Sequence, residues 1–332
     1  MACEQKASFL EDTTNFRNVC FVLTALEMFI STYSMYLLIY HSPSQMKEMK
    51  CYLINMACWT RALDLAYSFF IIPYFFIPTL VVLPLGALSI IGLIAEIQLI
   101  SLVIILTGLA SAVIMIFENR FNAISPPNFR FKIYKRRRYH IVMSVFSFSL
   151  LISSFLKLED QKTAKESYAE YVTCSTVELF AAAFSYKPIS VTMLIATVLL
   201  FSLLVLIQVC VFAGLSFYFL FSIERSQMSQ ATRNLQRKFF LTASLQILTH
   251  LAVIVLPMGY TFFSFVFGFR NQVLVNLSTV VITLHGTITS ISTIAINKPF
   301  RKIVKGWMCP KKCRNKRTST NLNVLTVSTS WI

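Results

Sequence analysis

Residues 239–297 read FFLTASLQILTHLAVIVLPMGYTFFSFVFGFRNQVLVNLSTVVITLHGTITSISTIAIN, a stretch whose one Lys, Arg, Asp or Glu is Arg270. A helix crosses the roughly 30 Å hydrocarbon core of a bilayer with about 20 mostly apolar residues, so this stretch is too long for one crossing. Gly268, Arg270 and Asn271 mark a hairpin inside it, and two spans result. Working outward, further apolar runs lie at Val19–Tyr40, between Tyr52 and Phe117, at Tyr139–Leu156 and at Ser190–Ser222. The run from Tyr52 to Phe117 also holds two spans, with Pro73, Pro78, Pro84 and Gly86 supplying the turn between them. In lipid each span must satisfy its own backbone hydrogen bonds, so each is read as a helix. The expected fold is an all-α membrane protein, a seven-transmembrane helix bundle whose odd span count puts the termini on opposite sides.

Composition agrees with that class. The chain has 332 residues, 56% hydrophobic and 13% charged, where a soluble domain carries about 25% charged residues. A water-soluble enzyme is excluded. The net charge of +16 is spread over a few loops, which argues against a nucleic-acid-binding surface. Lys and Arg number 2 in residues 41–51, 7 in 118–138, 4 in 223–238 and 9 in 298–332. The alternate segments carry 2 in residues 1–18, none in 77–86, 4 in 157–189 and Arg270. The positive-inside rule therefore places the N-terminus outside and the C-terminus inside. The expected division is an extracellular segment 1–18, a seven-span domain 19–297 and a basic cytoplasmic tail 298–332. Glu4, Glu11 and Asp12 stand where a signal peptide would be basic, so the first run reads as an uncleaved span.

Charged side chains within spans cost about 2.5–3.5 kcal/mol each at a helix centre, so they should face the bundle. Four fall there: Glu27, Arg61, Asp64 and Glu96. Arg61 and Asp64, three residues apart, read as an intramembrane ion pair or as a conformational switch. Glu27 and Glu96, both placed toward the outer side, are ligand-cavity candidates or protonated, hydrogen-bonded carboxyls. Thr242, Gln246, Thr249 and His250 form one helical stripe in span six, with Pro257 beyond it as a candidate bend and pivot. In span seven Asn276, Thr279, Thr283, Gly286, Ser290, Thr293 and Asn297 repeat at spacings of 3 and 4, flanked by His285. Such stripes permit close helix packing and hydrogen bonds between helices. His250 and His285 join the ligand-binding candidates.

No phosphate loop, zinc pattern or nucleophile elbow is present, and the expectation is a protein that is not an enzyme and holds no cofactor or metal. Cys309 and Cys313 bracket Pro310, Lys311 and Lys312 in the basic tail, which suits reversible acylation at the inner leaflet. Cys174, Cys3 and Cys20 lie toward the outside, where one disulfide has an oxidising compartment to form in. Lys132, Lys135, Arg136, Arg137 and Arg138 would meet anionic inner-leaflet lipids or a protein partner.

A tetrad Glu118-Asn119-Arg120-Phe121 closes span three, and Leu235-Gln236-Arg237-Lys238-Phe239-Phe240 enters span six. Leu256-Pro257-Met258-Gly259-Tyr260 follows within that span, and His285-Gly286 leads to Asn297-Lys298-Pro299-Phe300-Arg301-Lys302. In this order across nearly the whole chain, these motifs resemble the nematode chemoreceptors of serpentine receptor class H, within the G-protein-coupled receptor plan. The resemblance implies a chemosensory receptor for a small, apolar or volatile ligand. It implies coupling to a heterotrimeric G protein and a multi-pass position in the plasma membrane of sensory-neuron cilia. Glu118, Asn119, Arg120, Arg237 and Lys238 become the coupling or switch candidates, Arg120 first, because a guanidinium at a membrane face can exchange partners as helices move. The same Arg120 also reads as a phosphate-facing anchor. Two departures stand out: Asn119 splits the usual acidic-Arg-aromatic triplet, and span seven lacks Asn-Pro-x-x-Tyr. The rival reading is a seven-span ligand-gated channel or a small-solute transporter, which would want a polar pore and, for the insect-type channel, an inverted topology.

Overall fold

The structure, a computed structural model, describes residues 8–42, 47–76, 81–126, 129, 132–133, 135–153, 183–185, 188–221, 229–269 and 271–308. Span one is α1, Thr13–Tyr40. It begins upstream of the apolar run because the Asp12 carboxylate caps it, accepting from the amides of Thr14 and Asn15 at 3.4 and 3.1 Å. Span two is α2, Lys47–Leu65, prolonged by a π-helical turn, Ala66–Phe70. A single turn, α3 (Ala87–Ile90), precedes span three, α4 (Ala95–Ile124). Spans four, five and six are α5 (Arg136–Ser153), α6 (Pro188–Phe221) and α7 (Gln230–Val266). Span seven is broken into α8 (Gln272–Thr283) and α9 (His285–Ile296), and α10 (Lys298–Met308) follows it.

The long helices α1, α4, α6 and α7 are each long and apolar enough to cross a membrane, and the pair α8 and α9 makes a fifth span bent by 42°. Helices α2 and α5 complete the bundle and pack against α4. They read as less apolar because α2 holds Lys50, Arg61 and Asp64 and α5 opens on Arg136, Arg137 and Arg138. Span three is the axis of the bundle, lying against spans two, four and five. Its faces bury Leu109, Ala112, Ile116 and Phe121 in the main core. Span five instead turns Leu199, Leu203, Leu206 and Val211 outward, as a helix bordered by lipid would.

The prolines between spans two and three do more than turn the chain. Pro73 and Pro84 face each other across a hairpin of β1 (Pro73–Phe76) and β2 (Val81–Pro84), and β3 (Phe184–Ser185) adds to it antiparallel. This small sheet caps the end of the bundle where the chain starts, here termed the sheet end; the opposite, Lys/Arg-rich end is the basic end. Ile72 enters the hairpin at a φ of 46°, and Gly86 leaves it where a Cβ would lie 2.3 Å from the Phe70 carbonyl. Tyr74 donates to the Glu11 carbonyl at 3.0 Å, and Asn276 donates to that of Leu10 at 2.7 Å, tying the N-terminal segment across the sheet end. Burial holds the Tyr74 phenol above its ordinary pKa.

Candidate functional site

Among the described residues, the candidate side chains gather in two polar clusters, one near mid-height of the bundle and one at the basic end. The first begins with the break in span seven. Helix α8 stops at Thr283 and α9 restarts at His285, so the amides of the new first turn need acceptors from outside the helix. Asp64 of span two supplies one. Its Oδ1 accepts from the Gly286 amide at 3.1 Å and lies 3.0 Å from His285 Nδ1. The positive end of a half-helix thus meets a carboxylate. Gly286 is required by the approach, since a Cβ there would stand 2.0 Å from Asp64 Oδ2 and 2.7 Å from Glu27 Oε1.

Glu27 sits at the middle of α1, fully buried, with its carboxyl beside that of Asp64 against Gly286. The ion pair expected between Arg61 and Asp64 does not form. Arg61 turns instead to span one, donating to Ser31 Oγ at 3.0 Å and Thr32 Oγ1 at 3.3 Å. Asp64 is drawn to the half-helix, which offers a second donor that Arg61 would have to displace. The His250 ring packs edge-on against His285 with centroids 5.0 Å apart. Below them Gln246 donates to Thr293 Oγ1 at 3.0 Å, so the span-six stripe meets the span-seven stripe. A cavity of about 50 Å³ opens among Ser31, Ser34, Arg61, Asp64, Gln246 and His250. It can hold a few waters, whereas small-molecule pockets run to about 300–1,000 Å³. Of the four ligand candidates, Glu27, His250 and His285 therefore meet in one packed junction of spans one, two, six and seven.

Glu96 does not join them. It lies in the first turn of α4, partly exposed at the sheet end, because Gly92 breaks the chain at a φ of 80° and span three starts only at Ala95. Span six runs as one helix through Pro257, and the Thr261 hydroxyl donates to the Pro257 carbonyl at 3.1 Å.

At the basic end Glu118 is fully buried and clamped by Arg136, one of the basic residues expected to meet lipid or a partner. Arg136 Nε donates to Glu118 Oε1 and Oε2 at 2.8 and 3.0 Å, and its Nη2 donates to Oε2 at 2.6 Å. The same guanidinium reaches Asn119 Oδ1 at 3.0 Å and the Tyr52 hydroxyl at 3.4 Å, and His140 Nε2 stands 3.3 Å from Glu118. Spans two, three and four are joined at this point. The signal for Arg136 was the short apolar run of span four: extending that helix inward by one turn carries Arg136 into the bundle.

Arg120 is buried too. Its Nη1 donates to Gln236 Oε1 of span six at 3.1 Å, and its guanidinium lies 5.5 Å from the Phe239 ring centroid. The nitrogens Arg233 Nε and Arg237 Nε both donate to the Leu220 carbonyl, at 3.0 and 2.9 Å, and Arg237 stacks over Phe221 at 4.7 Å. These two arginines cap the end of span five from span six. Lys238 is exposed. Cys309, Cys313 and Cys174 lie outside the described residues.

The family model of the serpentine-type seven-transmembrane GPCR chemoreceptors, class Srh, matches residues 11–310. The chain is also similar to serpentine receptor class H-72 of Caenorhabditis elegans, 24% identical over 315 residues that cover 91% of this chain and 88% of that protein.

Proposed function

Because the chain belongs to the Srh family of seven-transmembrane GPCR chemoreceptors, we propose that it detects a small, largely apolar chemical and signals through a heterotrimeric G protein. The sheet end faces the outside and the basic end the cytoplasm, in keeping with the distribution of Lys and Arg among the loops. The supporting observation is the placement of Arg120, buried between spans three and six with contacts to Gln236 and Phe239. Outward movement of span six breaks those contacts and releases the guanidinium toward a docking protein. The Glu118 clamp holds spans two to four as a fixed frame during that motion. A ligand drives the change only through tighter binding to the released state than to the held one.

Helix α10 buries Phe300 against the bundle and leaves Trp307 exposed beside Lys298, Arg301, Lys302 and Lys305. This pattern suits anionic lipid headgroups of the inner leaflet, where acylated Cys309 and Cys313 would add anchorage in a sensory-neuron ciliary membrane. Purified protein in lipid nanodiscs with a G-protein heterotrimer, challenged with pooled volatile chemicals, should accelerate nucleotide exchange. Arg120→Ala should abolish that acceleration with the fold retained. Chemically gated ion or solute flux into liposomes containing this protein alone, without exchange, would overturn the reading.

A further inference from the structure

We infer that Glu27 and Asp64 form a proton-binding site that holds one shared proton, Glu27 as the acid and Asp64 as the carboxylate. Both side chains are buried, with 0% and 1% exposure. Asp64 Oδ2 and Glu27 Oε1 crowd the same point above the Gly286 Cα. An ionised carboxylate can only accept hydrogen bonds, and Glu27 Oε1, Glu27 Oε2 and Asp64 Oδ2 receive none from a protein donor. Two ionised carboxylates in contact inside a bilayer repel one another strongly. A proton between them supplies the missing donor.

Placement of the proton follows from the neighbours. Asp64 Oδ1 already faces the Gly286 amide, the His285 ring and the half-helix N-terminus, all of which favour the anion. Glu27 has no such donor, so it keeps the proton and donates it to Asp64. The titratable and charged groups facing the pair are Arg61 from span two, His285 from span seven and His250 behind it from span six. With both imidazoles neutral, one shared proton leaves the pair at a charge of minus one, which Arg61 balances.

The consequence for signalling rests on the receptor reading above. If α9 withdraws from Asp64, the carboxylate loses both donors and takes the Glu27 proton, and a second proton then enters the pair through the cavity that Asp64 lines. Opening of span seven and uptake of one proton are thus a single event. Each unit fall in pH should raise the population of the open state up to about tenfold, since one pKa unit corresponds to a tenfold change in an equilibrium.

The test uses the full chain in lipid nanodiscs and infrared spectroscopy at neutral pH, with no ligand or G protein. The expected spectrum shows one protonated-carboxyl stretch, shifted by isotopically labelled glutamate but not by labelled aspartate, and lost in Glu27→Gln. The labelling arm needs no variant, so a misfolded Glu27→Gln leaves the experiment decisive. No such band, a band that follows aspartate, or one that vanishes when sodium is added at constant pH would overturn the proposal. The last outcome would mean that a metal cation holds the pair. In the signalling arm basal nucleotide exchange should rise as pH falls and lose that slope in Glu27→Gln. Absence of exchange from the wild type, with the infrared band present, would refute the receptor reading and leave the proton site standing.

Discussion

Replacing Gly286 with alanine puts a methyl group where the structure has two carboxylate oxygens. The new Cβ would lie 2.0 Å from Asp64 Oδ2 and 2.7 Å from Glu27 Oε1, distances that force both side chains to move. Asp64 then leaves the Gly286 amide and His285, bonds of 3.1 and 3.0 Å. Hydrogen bonds to a charged partner contribute about 1.5–3 kcal/mol each, so two lost bonds cost about 3–6 kcal/mol. Alanine returns up to about 1 kcal/mol through its better helix propensity, for a net loss of about 2–5 kcal/mol. At roughly 2 °C per kcal/mol for a chain of this size, the melting temperature should fall by roughly 4–10 °C. The assay is the loss of monodisperse protein on heating in detergent, read by fluorescence-detected size exclusion. Gly259→Ala is the control, since nothing lies within 4 Å of a Cβ built there. That variant should match the wild type or exceed it. If Gly286→Ala melts with Gly259→Ala, the carboxyl pair does not occupy the space beside span seven, and the mid-bundle junction is wrong.

Arg136→Ala strips the buried Glu118 of its clamp and should cost about 3–5 kcal/mol, the range for breaking one half of a buried pair; adding Glu118→Gln should recover part of that loss in the same melting assay. A double variant no better than Arg136→Ala would show that the two side chains do not pair. Gln236→Ala removes the span-six partner of Arg120 and should raise basal nucleotide exchange, whereas exchange equal to wild type would remove that contact from the switch. Gly86→Ala drives a methyl group to 2.3 Å from the Phe70 carbonyl, so surface expression should drop sharply, and normal expression would refute the hairpin geometry. Epitopes at Met1 and Ile332, probed in intact and then permeabilised cells, should report the N-terminus outside and the C-terminus inside; the reverse would sink the receptor orientation.

The mid-bundle residues were visible one by one. Glu27, Asp64, His250 and His285 each stood out as an ionisable group in an apolar run, and such groups must face the bundle. What the spacing could not supply was their partners. Arg61 and Asp64 are neighbours along span two, yet each is captured by a group on another helix: Ser31 on span one and Gly286 on span seven. In sequence Arg136 reads as a contact for lipid or a protein partner, because it follows Lys135 and precedes Arg137 and Arg138 in one basic block. Only the rotation of span four separates it from them.

Hydropathy alone carried the seven-span plan, because a chain in lipid must close its backbone hydrogen bonds within each segment, a local requirement. The apolar run starts span one at Val19, whereas the Asp12 cap starts the helix at Thr13, and the residues that follow Asn297, expected as a tail, form a further helix, Lys298–Met308. The break at Leu284, the π turn at Ala66–Phe70 and the hairpin that closes the sheet end depended on the neighbouring helices. Span seven bends where an acceptor from span two takes over the amide that a continuous helix would satisfy itself, and that exchange exists only once the two helices are packed together.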